Sequence, residues 1–250
     1  MRRLANLIRA EFMRTWLELV RYPLQFALGL LLVGVIFYLL LGFANLAGVA
    51  TANQTQLTRL LVGYLLGLVA LVIISAPAMQ VSKEAKSGTL ENMVLSGQGL
   101  TAFFVVQTLT RFWLSLVKLL LIFFVLARIA QISYTLSWQV LPALVLFLIT
   151  ALGLGLVFGA LMLLFKEVNN IFTLVQLLIF PAVIAELPQL EWFPLVLGAS
   201  VIRKLFLGNA VEPFAWTLLV LGTVAVFSLG VFLFQSADVA ARKRGLLGHE

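Results

Sequence analysis

Cysteine is absent from the 250 residues, and histidine occurs once, as His249 beside the C-terminus. The first absence excludes a disulfide framework and a thiolate metal site. The second excludes the clustered imidazoles that an integral-membrane metal enzyme or redox-complex anchor needs. Charge is scarce as well: 11% of residues, with 17 Lys and Arg against 10 Asp and Glu. No GxxxxGK[ST], HExxH or GxSxG is present, so the chain has no phosphate cradle, metalloprotease helix or nucleophile elbow of its own. Paired carboxylates inside an apolar run are missing too, and the sequence assigns no catalytic residue and no metal ligand. What fills the chain instead is apolar: 62% hydrophobic residues and a mean hydropathy of +1.11. Soluble domains are only about half apolar, so lipid is the solvent this composition suits.

A spanning helix needs about 20 mostly apolar residues, because about 30 Å of hydrocarbon is crossed at about 1.5 Å per residue. Six runs meet that length, near Leu24 to Phe43, Leu57 to Gln80, Phe103 to Ala127, Gln139 to Phe165, Val168 to Ala185 and Pro213 to Gln235. They are continuous rather than alternating, which disfavours a β-barrel and predicts an all-α integral membrane fold, one domain over residues 1–250. In residues 1–22, Leu4, Leu7, Ile8, Phe12, Leu19 and Val20 recur at helical spacing, while Arg9, Glu11, Arg14, Glu18 and Arg21 fall largely elsewhere around the helix. This reads as an amphipathic interfacial helix or as a charged extension of the first span, and Pro23 either ends it or opens that span.

The net charge of +7 does not point to nucleic acid. The basic residues sit at membrane edges, where anionic lipid headgroups are the nearer partner. With both termini inside, the cytoplasmic segments hold Arg2, Arg3, Arg9, Arg14, Arg21, Lys83, Lys86, Lys166, Arg242, Lys243 and Arg244, and the outer ones only Arg59, Arg128, Arg203 and Lys204. That distribution satisfies the positive-inside rule for six crossings and predicts a multi-pass plasma or inner membrane protein with cytoplasmic termini. Ala50-Thr51-Ala52 imitates a signal-cleavage site, but the run before it is long for a signal core and follows Glu11 and Glu18.

Polar residues inside the runs are few. Lys118 lies well within the third, with Arg111 seven residues earlier on roughly the same face, and a charge there must be paired, hydrated or functional. Gln107, Thr173 and Gln176 are milder intrusions, which serve either as glue between helices or as lining of a substrate path together with Arg111 and Lys118. Gly63 with Gly67 and Gly155 with Gly159 are small-xxx-small pairs that let helices approach closely, within one chain or between two copies.

Between the second and third runs, residues 83–97 read KEAKSGTLENMVLSG. Gly88 suits a helix start, Glu91 falls in the favourable first turn, Leu90, Met93 and Val94 form an apolar stripe, and Gly97 supplies a stop. An ordinary polar loop needs no such stripe. The region 186–212 is too broken by Pro188 and Pro194 to span and too apolar for a solvated loop, which predicts an outer pair of short re-entrant helices between spans five and six.

The pattern Glu84, Gly88, Thr89, Leu90, Glu91, Met93, Val94, together with Leu187-Pro188, Pro194 and Arg203 in the later region, resembles ABC-2 type (type V exporter-like) permease subunits of ABC transporters. The likeness in element order covers nearly the whole chain. It departs from the family where a frequent Glu-Arg pair is replaced by Lys83-Glu84, with Lys86 beyond. The resemblance implies that residues 83–97 hold a coupling helix docked on a separate ATPase, with Glu84 and Glu91 as partner contacts. It further implies two ATP-binding subunits that carry ATP and Mg, and a second permease copy or paralogue completing the pathway. The chain itself is then no enzyme, needs no cofactor, and exports a hydrophobic or amphipathic cargo such as a drug or lipid. The same family also implies polysaccharide, ion or haem-related cargo as alternatives. A non-ABC membrane anchor or enzyme subunit would need intramembrane histidines or carboxylates, and a passive channel a ring-forming filter segment; neither is found.

Overall fold

The computed structural model describes residues 21–46, 54–86, 120–129, 137–165, 169–185 and 188–243, with Met13, Leu17, Val105, Gln107, Thr108, Gln131, Tyr134 and Thr135. Every regular element among them is helical: α1 (Pro23–Leu46), α2 (Gln54–Lys86), α3 (Leu120–Ile129), α4 (Val140–Leu164), α5 (Asn169–Ile184), a 3-10 turn (Pro188–Leu190), α6 (Pro194–Phe206) and α7 (Pro213–Lys243). Stretches of α2, α4 and α7 are long and apolar enough to cross a membrane, while those in α1, α3 and α5 are shorter. Most of the interfacial segment 1–22 and, of the third expected span, residues 103–104, 106 and 109–119 lie outside the described residues.

The three long helices run parallel. Thr150 lies opposite Thr223, Gly153 opposite Phe227 and Gly159 opposite Phe234, so numbering rises together along α4 and α7. Gly155 meets Ile73 and Ile74, and Leu163 shares a cluster with Val81, so α2 has the same direction. Parallel helices cannot be joined by tight turns; the chain must return between them. One return begins at Val105, packed against the Val81 cluster, and reaches Phe123, whose ring stands 5.1 Å from that of Phe206. The other is α5, which brings Phe180 and Ile184 back to the level of Gly67 in α2.

Two helices outrun the apolar stretches that announce them. At about 1.5 Å per residue, the 33 residues of α2 and 31 of α7 measure about 50 and 46 Å, well beyond about 30 Å of hydrocarbon. Lys83 to Lys86 therefore continue α2 instead of opening a loop, and α7 continues past Gln235 to Lys243.

Where a pair of short re-entrant helices was expected over 186–212, the described residues hold the 3-10 turn Pro188–Leu190 followed by α6. Pro194 opens α6 after an extended Phe193, as proline suits a first helical turn, and Gly208 with φ 75° closes it. The final turn is secured from outside, since both the amide and the hydroxyl of Thr135 donate to the Phe206 carbonyl at 3.0 Å. α6 lies across the first third of all three long helices: Pro194 abuts Gly222, Gly198 faces Phe147, and Arg203 faces Gly63. It is buried at nearly every position save Lys204, as a solvated loop would not be.

The core forms where α2, α4 and α6 converge. Leu61, Tyr64, Ile74, Phe147, Leu195 and Ile202 are completely buried there. A smaller cluster of Val81, Leu156, Ala160, Leu163, Phe234 and Ala237 closes the opposite end. Both glycine pairs flagged in the sequence act within the chain. A Cβ on Gly67 would touch the Phe180 ring at 3.0 Å, and one on Gly155 would stand 2.9 Å from the Ile73 carbonyl oxygen. Pro77 explains the second contact: lacking an N–H, it leaves the Ile73 carbonyl without its helical donor, and the Gly155 backbone packs against that oxygen.

Candidate functional site

Toward the Lys83 end of α2 the bundle buries amide and hydroxyl groups without satisfying them. Gln80, Gln107 and Thr108 retain 6%, 2% and 3% of their exposure. Among the described residues, both amide atoms of Gln80, the side-chain carbonyl of Gln107 and the Thr108 hydroxyl find no hydrogen-bond partner. The fold explains the burial: Val81 and Val105 pack into the smaller core cluster, drawing in the polar residues beside them. Asp238, buried next to Ala237 of the same cluster, adds a carboxylate from α7. A buried polar group left unpaired costs about 1–3 kcal/mol, and such groups in a native fold call for a functional explanation.

Of the residues singled out from the sequence, Gln107 is at this locus. Gln176 is half-buried on α5, on the side that carries Phe180 toward α2. Thr173 is exposed and shares its face with Leu177, 69% exposed, so it does not join Gln107 in the interior. Glu84 is half-buried in the last turns of α2. Gly88, Thr89, Leu90, Glu91, Met93 and Val94 lie outside the described residues, as do Arg111 and Lys118.

The opposite end holds a charge whose burial the sequence did not signal. Arg203, tallied above with the outer cations, keeps only 2% of its exposure. Its Nη2 donates to the Val183 carbonyl of α5, and it sits in the last turn of α6, where the helix dipole favours a cation. Gly63 makes the room, since a Cβ there would stand 3.2 Å from Nε. Arg203 thus ties α2, α5 and α6 together. The sequence held both halves of this contact, the arginine and the glycine pair, but nothing in it connects residues so far apart.

Between the two ends, the Thr150 and Thr223 hydroxyls meet at 2.9 Å across the α4–α7 seam, each also within reach of its own i−4 carbonyl. Two hollows open on the surface of the described residues. An apolar groove of about 570 Å3 runs between α1 and α3, floored by Gly34 and Leu126. A cleft of about 560 Å3 with charges of both signs opens where Arg59, Glu191, Lys204 and Glu212 converge.

Chemically, the buried locus offers uncharged donors and acceptors. Such a set can bind and orient a molecule. No group of His, Asp or Glu suited to a metal ion occurs among the described residues. Comparison with known proteins finds no family model, no curated protein and no solved structure that matches this chain.

Proposed function

We propose that this chain is the permease subunit of an ATP-driven exporter of the ABC-2 type, crossing the membrane six times with both termini in the cytoplasm. The observation that carries the reading is a junction: the polar, stripe-bearing segment 83–97 begins in the last turn of α2, the most deeply packed of the three long helices. The parallel course of α2, α4 and α7 supports it, because two returns and the preceding α1 bring the crossings to six.

Energy must then arrive through a protein contact, since the chain lacks a phosphate cradle. A pair of ATPase subunits, holding ATP and Mg, closes against residues 83–97 of two permease copies. Leu90, Met93 and Val94 are the apolar anchors, Glu84 and Glu91 the polar rim, and Gly88 and Thr89 shape the segment. A push there moves α2, and Pro77 and the Gly155 contact pass the motion to α4. Gln80, Gln107 and Thr108 lie just past that seam, where a shift of α2 opens or closes their burial. Arg111 and Lys118 extend the same path. The short external segments and the apolar character of the runs favour a hydrophobic or amphipathic cargo, such as a drug or a lipid-like molecule, moving outward.

The test is co-purification of a Walker-A ATPase with the chain, and cargo-stimulated ATP turnover in vesicles. Truncating a central anchor commonly costs about 2 kcal/mol or more and a rim charge under about 1. Leu90→Asp should therefore abolish stimulation and weaken co-purification, while Glu91→Gln leaves most of both. Full coupling in Leu90→Asp would refute the assignment.

A further inference from the structure

We propose that the cleft between the starts of α2 and α7 is a binding site for a zwitterionic phospholipid, taking the headgroup among its charges and one acyl chain along α7. This rests on the long helices crossing a membrane and is independent of any ATPase partner.

Four charges line the cleft, two of each sign: Arg59 and Lys204, Glu191 and Glu212. Glu191 is held in place, accepting a hydrogen bond from Ser200 Oγ at 3.3 Å. A headgroup with a phosphate and an ammonium finds opposite charge for both of its ends, whereas an anionic headgroup brings no positive charge to the two carboxylates. Like-charge juxtaposition is the stronger discriminator of the two effects. The volume, about 560 Å3, falls within the range of small-molecule sites, about 300–1,000 Å3.

A soluble zwitterion would satisfy the charges equally well, but the rest of the cleft favours a lipid. Trp192 and Phe214, 70% and 72% exposed, stand at its rim, where aromatic rings occupy the boundary between headgroup and hydrocarbon. From Phe214 an apolar track leads away along one face of α7 through Leu218 and Leu221, 38% and 68% exposed, at i, i+4 and i+7. A chain leaving the headgroup in the cleft has a continuous greasy surface to follow, and a free headgroup analogue has no use for it.

The experiment uses the full chain in nanodiscs containing a photoactivatable phosphatidylethanolamine, with crosslinked peptides mapped by mass spectrometry. Labelling should concentrate within residues 191–221. Phosphatidylethanolamine should compete roughly tenfold better than phosphatidylglycerol of the same chains, the discrimination expected from one unfavourable like-charge contact. Glycerophosphoethanolamine, the same headgroup without chains, should compete poorly. Lys204→Gln combined with Glu212→Gln should lose most of the labelling. Both side chains are exposed, so an unchanged elution profile is expected. Trp192→Ala, also exposed, should weaken labelling without changing the preference between headgroups. Equal competition by phosphatidylglycerol, equal competition by the soluble analogue, labelling spread over the whole lipid-facing surface, or wild-type labelling in the double variant would each overturn the proposal.

Discussion

α2 and α7 are close in length, 33 and 31 residues, and their apolar stretches have the same mean hydropathy, yet they are held in opposite ways. Of its apolar stretch, α2 has 72% buried and α7 only 22%. α2 is gripped on most sides by large side chains, with Leu61, Tyr64, Ile74 and Ala70 fully enclosed. α7 turns most of its surface outward, with Leu221, Val224 and Phe232 more than half exposed, and is held along one line of close backbone approach. On that line, Cβ atoms added to Gly153 or Gly230 would run into the facing backbone, and one on Gly222 would stand 2.5 Å from Pro194 Cγ. In lipid, apolar burial between helices gains little over contact with acyl chains, so a peripheral helix depends on closeness and a few polar contacts. The lesson is mechanical: displacing α2 would disturb the core on many sides, whereas displacing α7 would part a single seam.

The sharpest way to break the comparison is at the glycine seam. Gly230→Leu cannot be accommodated against the Gly153 carbonyl without moving α7 away, and overpacking of this kind costs about 1–3 kcal/mol or more. A lower thermal midpoint in detergent, or loss of the monodisperse peak, is the expected result. The Thr150–Thr223 pair should matter less. Interhelical hydrogen bonds in membranes average about 0.6 kcal/mol, so a double-mutant cycle with Thr150→Val and Thr223→Val should return a coupling near that size. The smallest effect belongs to the outward face: Leu221→Ala should change stability by less than about 0.5 kcal/mol, measured by the same thermal assay. If Leu221→Ala cost as much as Gly230→Leu, α7 would have to be buried by something this chain does not supply.

How much of this was legible beforehand differs from helix to helix. The bounds of α4, expected at Gln139 to Phe165 and found at Val140–Leu164, follow directly from an apolar run that ends where the helix ends. α2 and α7 overran their expected ends because hydropathy marks where hydrocarbon stops, and hydrogen bonding along the backbone continues past that point. The difference in burial between these two helices was invisible to composition. Gly155 and Gly159 announced one close contact by their spacing, but the Gly153–Gly230 approach joins single glycines on separate helices and has no signature along the chain. For the same reason Gln107 stood out as a polar residue within a run, whereas Gln80 served only to mark a run's end. Its burial beside the Val81 cluster is a property of packing alone.

The central claim is that α2, α4 and α7 cross the membrane in one direction, with a return between each pair. Absence of cysteine makes the test direct. Single cysteines at Gln54, Ser87 and Gly208 are challenged in intact cells with a membrane-impermeant thiol reagent. Gln54 and Gly208, at the starts of α2 and α7, should be labelled from outside, and Ser87, just past the end of α2, only after the membrane is opened. Labelling of Gln54 and Ser87 from the same side would show that α2 does not cross, and would contradict the account.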